Sequence, residues 1–178
     1  VTRPIALIGL PGSGKSTVGG LLASRLSRSC CDVDRLIEQL SGWSASRWID
    51  EKGLPAFRAA EALFIVRIEA DQDFQRNESS ALVVATGGGA VETDEVRKIL
   101  AGWSCFWLDA PDSVLLERCE PDSRPLLLGE AAGAALERLR KQRQDYYREL
   151  AGDPIDTSES TPSAVVDVIL GRLEEDRC

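Results

Sequence analysis

Gly9-Leu10-Pro11-Gly12-Ser13-Gly14-Lys15-Ser16-Thr17 is the stretch that most narrows what this chain can become. It fits G-x-x-x-x-G-K-[ST], in which glycines let the backbone curl round a phosphate and aim its N–H groups inward. Lys15 is placed to meet the outer phosphates of a nucleotide, Ser16 to ligate Mg²⁺, and Thr17 to add a donor at the positive end of the helix that follows. The flanks supply the context the pattern requires. Residues 5–10 (IALIGL) form an uncharged apolar strand, and Val18, Leu21, Leu22 and Leu26 recur at helical spacing over 16–26. Strand, glycine loop and helix in that order predict a nucleotide site built by Gly12, Ser13, Gly14, Lys15, Ser16 and Thr17.

The other reactant must be found elsewhere, and the overall charge narrows its class. A chain of 178 residues is expected to form one domain, 1–178, around one core, and a formal net charge of −8 argues against nucleic acid as partner. No apolar run is long enough to span a bilayer, and residues 1–28 lack the pattern of a signal peptide, so no membrane partner and a cytoplasmic location are expected. Histidine is absent, which leaves proton handling to a carboxylate or to water. The five cysteines, 30, 31, 105, 119 and 178, have no zinc-type spacing and are expected as reduced, mostly buried thiols.

In chain order, residues 29–32 make a second strand ending in Asp32-Val33-Asp34. Alternation along an extended segment puts both carboxylates toward one cleft with Val33 inward, one suited to Mg²⁺ and one to a hydroxyl proton. Either could instead cap a helix over 35–40. Residues 44–52 and 55–70 are predicted helices, the second burying Phe57, Ala60, Leu63, Phe64 and Ile68, with Arg58 and Glu61 one turn apart so that Glu61 can orient the guanidinium. A polar loop follows over 71–80. The strand ALVVA at 81–85 runs into Thr86-Gly87-Gly88-Gly89, where backbone can touch a ligand directly.

A helix over 94–100 leads to a strand at 105–108, then to a helix over 111–119 opened by Pro111 in its first turn and ended by Arg118. Residues 120–130 carry a single cation, Arg124, in an otherwise acidic segment, as a lid closing over phosphates would; the lid is placed at about 119–130. The helix over 131–150 turns Leu136, Leu139, Tyr146 and Leu150 inward, and its basic run Arg138, Arg140, Lys141, Arg143 and Arg148 reads as mostly solvated face. A short strand at 154–157 and a helix at 162–173 close the chain. The alternation predicts a three-layer α/β/α fold on a central five-stranded parallel sheet.

Taken in order, GLPGSGKST at 9–17, DVD at 32–34, FRAAE at 57–61, TGGG at 86–89, RPLL at 124–127 and KQRQDYY at 141–147 resemble the shikimate kinases of the P-loop nucleoside-monophosphate-kinase-like group. The resemblance implies transfer of the ATP γ-phosphoryl group to the 3-hydroxyl of shikimate, on the route to chorismate and aromatic amino acids, by a monomer using Mg²⁺. By matching positions it implies that Lys15, Asp34 and Arg124 are catalytic, with Asp34 as base and holder of the substrate hydroxyls. Arg58 and Arg143 would clamp the carboxylate, and Gly87, Gly88 and Gly89 would meet the ring hydroxyls. Asp32 would support Mg²⁺ behind Ser16, Arg124 would descend on the phosphates, and Arg118 with Pro162 would sandwich adenine. Arg143 is singled out by the resemblance alone.

Three features depart from the family pattern: Ser160 where an arginine commonly stands, Trp48-Ile49 where Ile-Phe is usual, and a longer polar segment over 71–80. Two other functions fit the same nucleotide end, a gluconate-type small-molecule kinase and a kinase-like domain that binds without turnover. FRAAE with TGGG favours shikimate over the first, and the joint presence of Lys15, Ser16, Asp34, Arg58, Arg124 and Arg143 argues against the second.

Overall fold

A computed structural model describes residues 3–70, 82–119 and 132–175 of the chain. The strands are β1 (Ile5–Ile8), β2 (Cys30–Asp32), β3 (Val83–Ala85), β4 (Ser104–Asp109) and β5 (Ile155–Asp156). The helices are α1 (Lys15–Leu26), α2 (Val33–Ser41), α3 (Ala45–Lys52), α4 (Leu54–Ala70), α5 (Asp94–Leu100), α6 (Asp112–Arg118), α7 (Ala132–Ala151) and α8 (Pro162–Glu175), with a 3₁₀ turn at Ala90–Glu92. The five strands form one sheet in the order β2-β3-β1-β4-β5, every pairing parallel, as expected for the fold class.

β1 lies at the centre, pairing Ile5 with both Val83 and Ser104, and all four of its residues are buried. A parallel strand covered on both faces has no place for a charge, which is why IALI reads as an unbroken apolar run. Ile5, Leu7, Val83, Phe106 and Leu108 face one core with Val18 and Leu22 of α1 and Val165, Val166 and Ile169 of α8. Ala6, Ile8, Val84 and Trp107 face the other, with residues of α2, α4, α5, α6 and α7. Leaving β1 the chain passes out to β2, returns to β3 at its side, and then crosses to β4. The crevice at the C-terminal end of β1 is therefore the topological switch point, where open α/β sheets bind ligands.

Several local expectations change. Asp34 is not on an extended segment: the strand ends at Asp32, whose carboxylate caps α2 by accepting from Arg35 N at 3.1 Å, and Asp34 sits in the first turn of that helix. Capping is cheaper than continuing a strand whose next residues have no partner. In α4 the buried face is Phe57, Glu61, Ile65 and Ile68, while Leu63 is 49% exposed. In α7 it is Leu136, Leu139, Arg143 and Tyr147, with Tyr146 and Leu150 only packed against the core edge.

The basic run of α7 is not uniformly solvated. Arg143 is fully buried, and Arg140 ties α7 to the end of β4 through Asp109 at 2.6 Å and the Ala110 carbonyl at 2.8 Å. Pro111 is the N-cap of α6 rather than part of its first turn. The described cysteines are free thiols as expected, but none is fully buried, and Cys30 is exposed at the sheet edge. Among the described residues no helix is long and apolar enough to cross a membrane.

Candidate functional site

The loop between β1 and α1 lies in the switch-point crevice. Gly12 has φ +80°, and a Cβ there would run into the Leu115 carbonyl of α6, so this turn excludes side chains on two counts. Lys15 is nearly buried and folds back over the loop, its Nζ donating to the Gly9 and Leu10 carbonyls at 2.9 Å each and to Ser13 Oγ at 3.4 Å. Gly14 caps α1 without a side chain, and the first turn of α1, with Ser16 and Thr17 exposed, carries no acidic residue. Its N-terminal N–H groups and dipole are thus available to an anion.

Across the crevice, four elements converge on a cluster of charge. Arg58 and Glu61 pair one turn apart on α4, the geometry expected from their spacing. Glu61 is 1% exposed, and among the described residues its Oε1 is buried without a hydrogen-bond partner. Arg58 Nε donates to Glu92 Oε2 at 3.1 Å, and Arg143 Nε, from α7, donates to Glu92 Oε1 at 3.1 Å. One carboxylate therefore holds both guanidiniums. Tyr147, one turn beyond Arg143, donates from its hydroxyl to the Gly88 carbonyl at 2.6 Å.

The glycines after β3 lie directly over these groups. A Cβ at Gly87 would overlap Glu61 Oε1 and come within 2.7 Å of Asp34 Oδ1; one at Gly89 would overlap the Arg58 guanidinium. At Gly88 it would stand 3.3 Å from Pro11 Cδ and 3.5 Å from Arg143 Nη1. Gly87 and Gly89 are required by the close approach of the turn to the charged side chains, whatever ligand it also meets, whereas a side chain at Gly88 would ask its neighbours to give by only a few tenths of an ångström. The turn brings Asp34, Arg58, Arg143 and the phosphate loop into one crevice.

Burial dominates the electrostatics. It pushes the Glu61 carboxyl up to about 7, with the nearby Asp34 charge adding to the rise and Arg58 and Arg143 opposing it. For Arg58, burial disfavours the charge, but Glu61, Glu92 and Asp34 outweigh it and hold the guanidinium above its ordinary value. Tyr147 is likewise raised by burial and stays a neutral donor. Because the Glu61 carboxyl is raised on folding, its contribution to stability is complete below its unfolded value of 4.5 and is lost as pH climbs through about 7. Thermal melts of the wild type should therefore lose ground to Glu61→Gln, which mimics the protonated acid, between pH 4.5 and 7; a gap that does not change with pH would refute the shift.

Arg118 at the end of α6 reaches the segment before α8, donating to Thr157 O at 2.7 Å, Ser158 O at 3.0 Å and Thr157 Oγ1 at 3.2 Å. Pro162 opens α8 a few residues on and is exposed. Arg124, the expected lid beyond Cys119 and the polar loop over 71–80 lie outside the described residues. Ser16 and Asp32 offer the oxygen donors that Mg²⁺ takes when it keeps its waters and bridges to substrate phosphates. Asp32 spends one oxygen on the Arg35 cap and retains the other. Trp48 and Ile49, where the family pattern differs, pack half-buried against the core, Trp48 edge-on to Trp43 with ring centroids 6.0 Å apart.

The shikimate kinase family model matches residues 11–174. The chain belongs to the shikimate kinase family. A shikimate kinase of Corynebacterium diphtheriae is 40% identical over 174 residues, 97% of this chain and 95% of that protein. One of Corynebacterium glutamicum is 35% identical over 173 residues, 97% of each. The solved structure of shikimate kinase from Acinetobacter baumannii in complex with shikimate is similar at a TM-score of 0.89 and 31% identity, covering 99% of this chain and 95% of that one.

Within this shikimate kinase fold, two residues of the charged cluster escaped the sequence reading. Glu92 lies three residues past the glycines with no motif around it, and only the 3₁₀ turn aims it between the two arginines. Tyr147 stands inside KQRQDYY, but helical spacing from Leu136 and Leu139 would have marked it, with Arg143, as part of the buried stripe.

Proposed function

We propose that this chain transfers the γ-phosphoryl group of ATP to the 3-hydroxyl of shikimate, giving shikimate 3-phosphate and ADP. The observation that carries the reading is the pairing of Arg58 and Arg143 on a single carboxylate, beneath the glycine turn and beside Asp34. Two guanidiniums spaced to hold one carboxylate suit a small acid better than a neutral polyol. The shikimate carboxylate is held by Arg58 and Arg143, and its hydroxyls face Asp34 and the backbone of Gly87, Gly88 and Gly89.

Phosphoryl transfer asks mainly for positioning and neutralised charge. Asp34 orients the 3-hydroxyl and accepts its proton as the oxygen bonds to the γ-phosphorus and the bond to the β,γ-bridging oxygen breaks, releasing ADP. Lys15 turns from the loop carbonyls to the phosphates, and the first turn of α1 supplies N–H donors. Ser16 and Asp32 would hold Mg²⁺, which would offset phosphate charge. Arg118 and Pro162 flank adenine, and Arg124 completes the charge on the transferred group. The chain acts as a single domain over 1–178, as a cytoplasmic monomer.

ADP release from ATP and Mg²⁺ with shikimate, gluconate, a nucleoside monophosphate or no acceptor tests this directly. Turnover with shikimate alone is expected. Turnover with gluconate instead would move the assignment to that kinase class, and silence across the panel from a folded, ATP-binding protein would favour a non-catalytic domain.

A further inference from the structure

We propose that Glu92 is an internal carboxylate that occupies the two clamp arginines while the site is empty and yields them to the carboxylate of the incoming acid. The inference rests on the reading of Arg58 and Arg143 as that clamp. Each Glu92 oxygen takes one guanidinium Nε at 3.1 Å, the arrangement by which a bound carboxylate would bridge the same pair. The Arg143 side chain is 2% exposed, and a guanidinium so enclosed needs a counter-charge whether or not substrate is present. The acids Glu137 and Asp145 of its own helix pair with Lys141 and Arg148.

Of the two carboxylates on Arg58, Glu92 is the one able to leave. Its side chain is 31% exposed and stands on a three-residue 3₁₀ turn, whereas Glu61 is sealed at 1% in the middle of α4. Exchange of one carboxylate for another conserves the charge around both arginines, so the buried guanidiniums are never left bare. The consequence is a set affinity: the acid must displace Glu92, and its binding is weakened by what Glu92 was contributing.

The test compares wild type with Glu92→Gln, which keeps the shape and removes the competing charge. KM is measured for shikimate, for ATP, and for the neutral analogue carrying a hydroxymethyl group in place of the carboxylate. In Glu92→Gln the KM for shikimate is expected to fall roughly twofold to fivefold, the range of a partly exposed charge pair, with the KM for ATP and for the neutral analogue unchanged. The unliganded variant should melt lower than wild type and gain more from added shikimate. A rise in the shikimate KM would make Glu92 a fixed brace and overturn the proposal, as would no change. If Glu92→Gln does not fold, Glu92→Asp, whose shorter arm cannot bridge both Nε atoms, is expected to lower the same KM by a smaller factor, and an unchanged or raised KM there overturns the proposal equally. Failure of the wild type itself to bind shikimate would instead refute the assigned substrate.

Discussion

The Asp34→Asn variant is expected to keep its fold and lose roughly two to four orders of magnitude in turnover, the range a positioned proton acceptor supplies. The chain has no histidine, and of the other acids at this point Glu61 is sealed against Arg58 and Glu92 is held between Arg58 and Arg143. Asp34 occupies the first turn of α2, but the cap of that helix is Asp32, so the substitution leaves the capping bond intact. Asparagine matches the shape and cannot accept a proton. Loss of a negative charge near a helix N-terminus removes about 0.3–1 kcal/mol, too little to unfold a domain of this size. The decisive measurement is steady-state ADP release with saturating shikimate, beside a thermal melt. A near-normal rate from the folded variant would assign the proton to water.

Gly87→Ala should damage the acid side of the site while sparing the nucleotide side. Its Cβ would overlap Glu61 Oε1 and stand 2.7 Å from Asp34 Oδ1. Glu61 has nowhere to retreat, being 1% exposed and bound to Arg58. Either the turn rises from the cluster, at a cost of about 1–3 kcal/mol for overpacking, or the buried ion pair parts, at about 3–5 kcal/mol. The expected result is a melting temperature lower by several degrees and a shikimate KM raised more than about tenfold, with ATP binding little altered. Gly20→Ala is the matched control, since a Cβ there meets nothing within 4 Å and the residue lies within helix α1. Equal effects of the two substitutions would show that the glycine turn holds no special relation to the site.

These two variants also divide what could be seen in the residues from what could not. The phosphate loop was legible because its chemistry is local: glycines, lysine and hydroxyl lie within nine consecutive positions, between a strand and a helix whose apolar patterns are themselves local. The parallel sheet followed from alternation of strands and helices, since parallel neighbours need a crossover between them. The Arg58–Glu61 pair was legible for the same reason, one helical turn apart.

Asp34 was singled out but placed on a strand, because two residues of extended spacing and the first turn of a helix look alike until the cap is formed. Arg143 read as solvated from the charge run of α7, and only the packing of that helix against the glycine turn buries it. Glu92 carried no signal at all. Its pairing with both arginines depends on contacts 34 and 51 residues away in sequence, closed by the order of strands in the sheet. The sequence alone determined the glycine loop between β1 and α1 and which elements form, because those depend on neighbours along the chain. Tertiary structure decided which charges face one another, because a buried ion network is set by elements that meet only once the sheet has assembled.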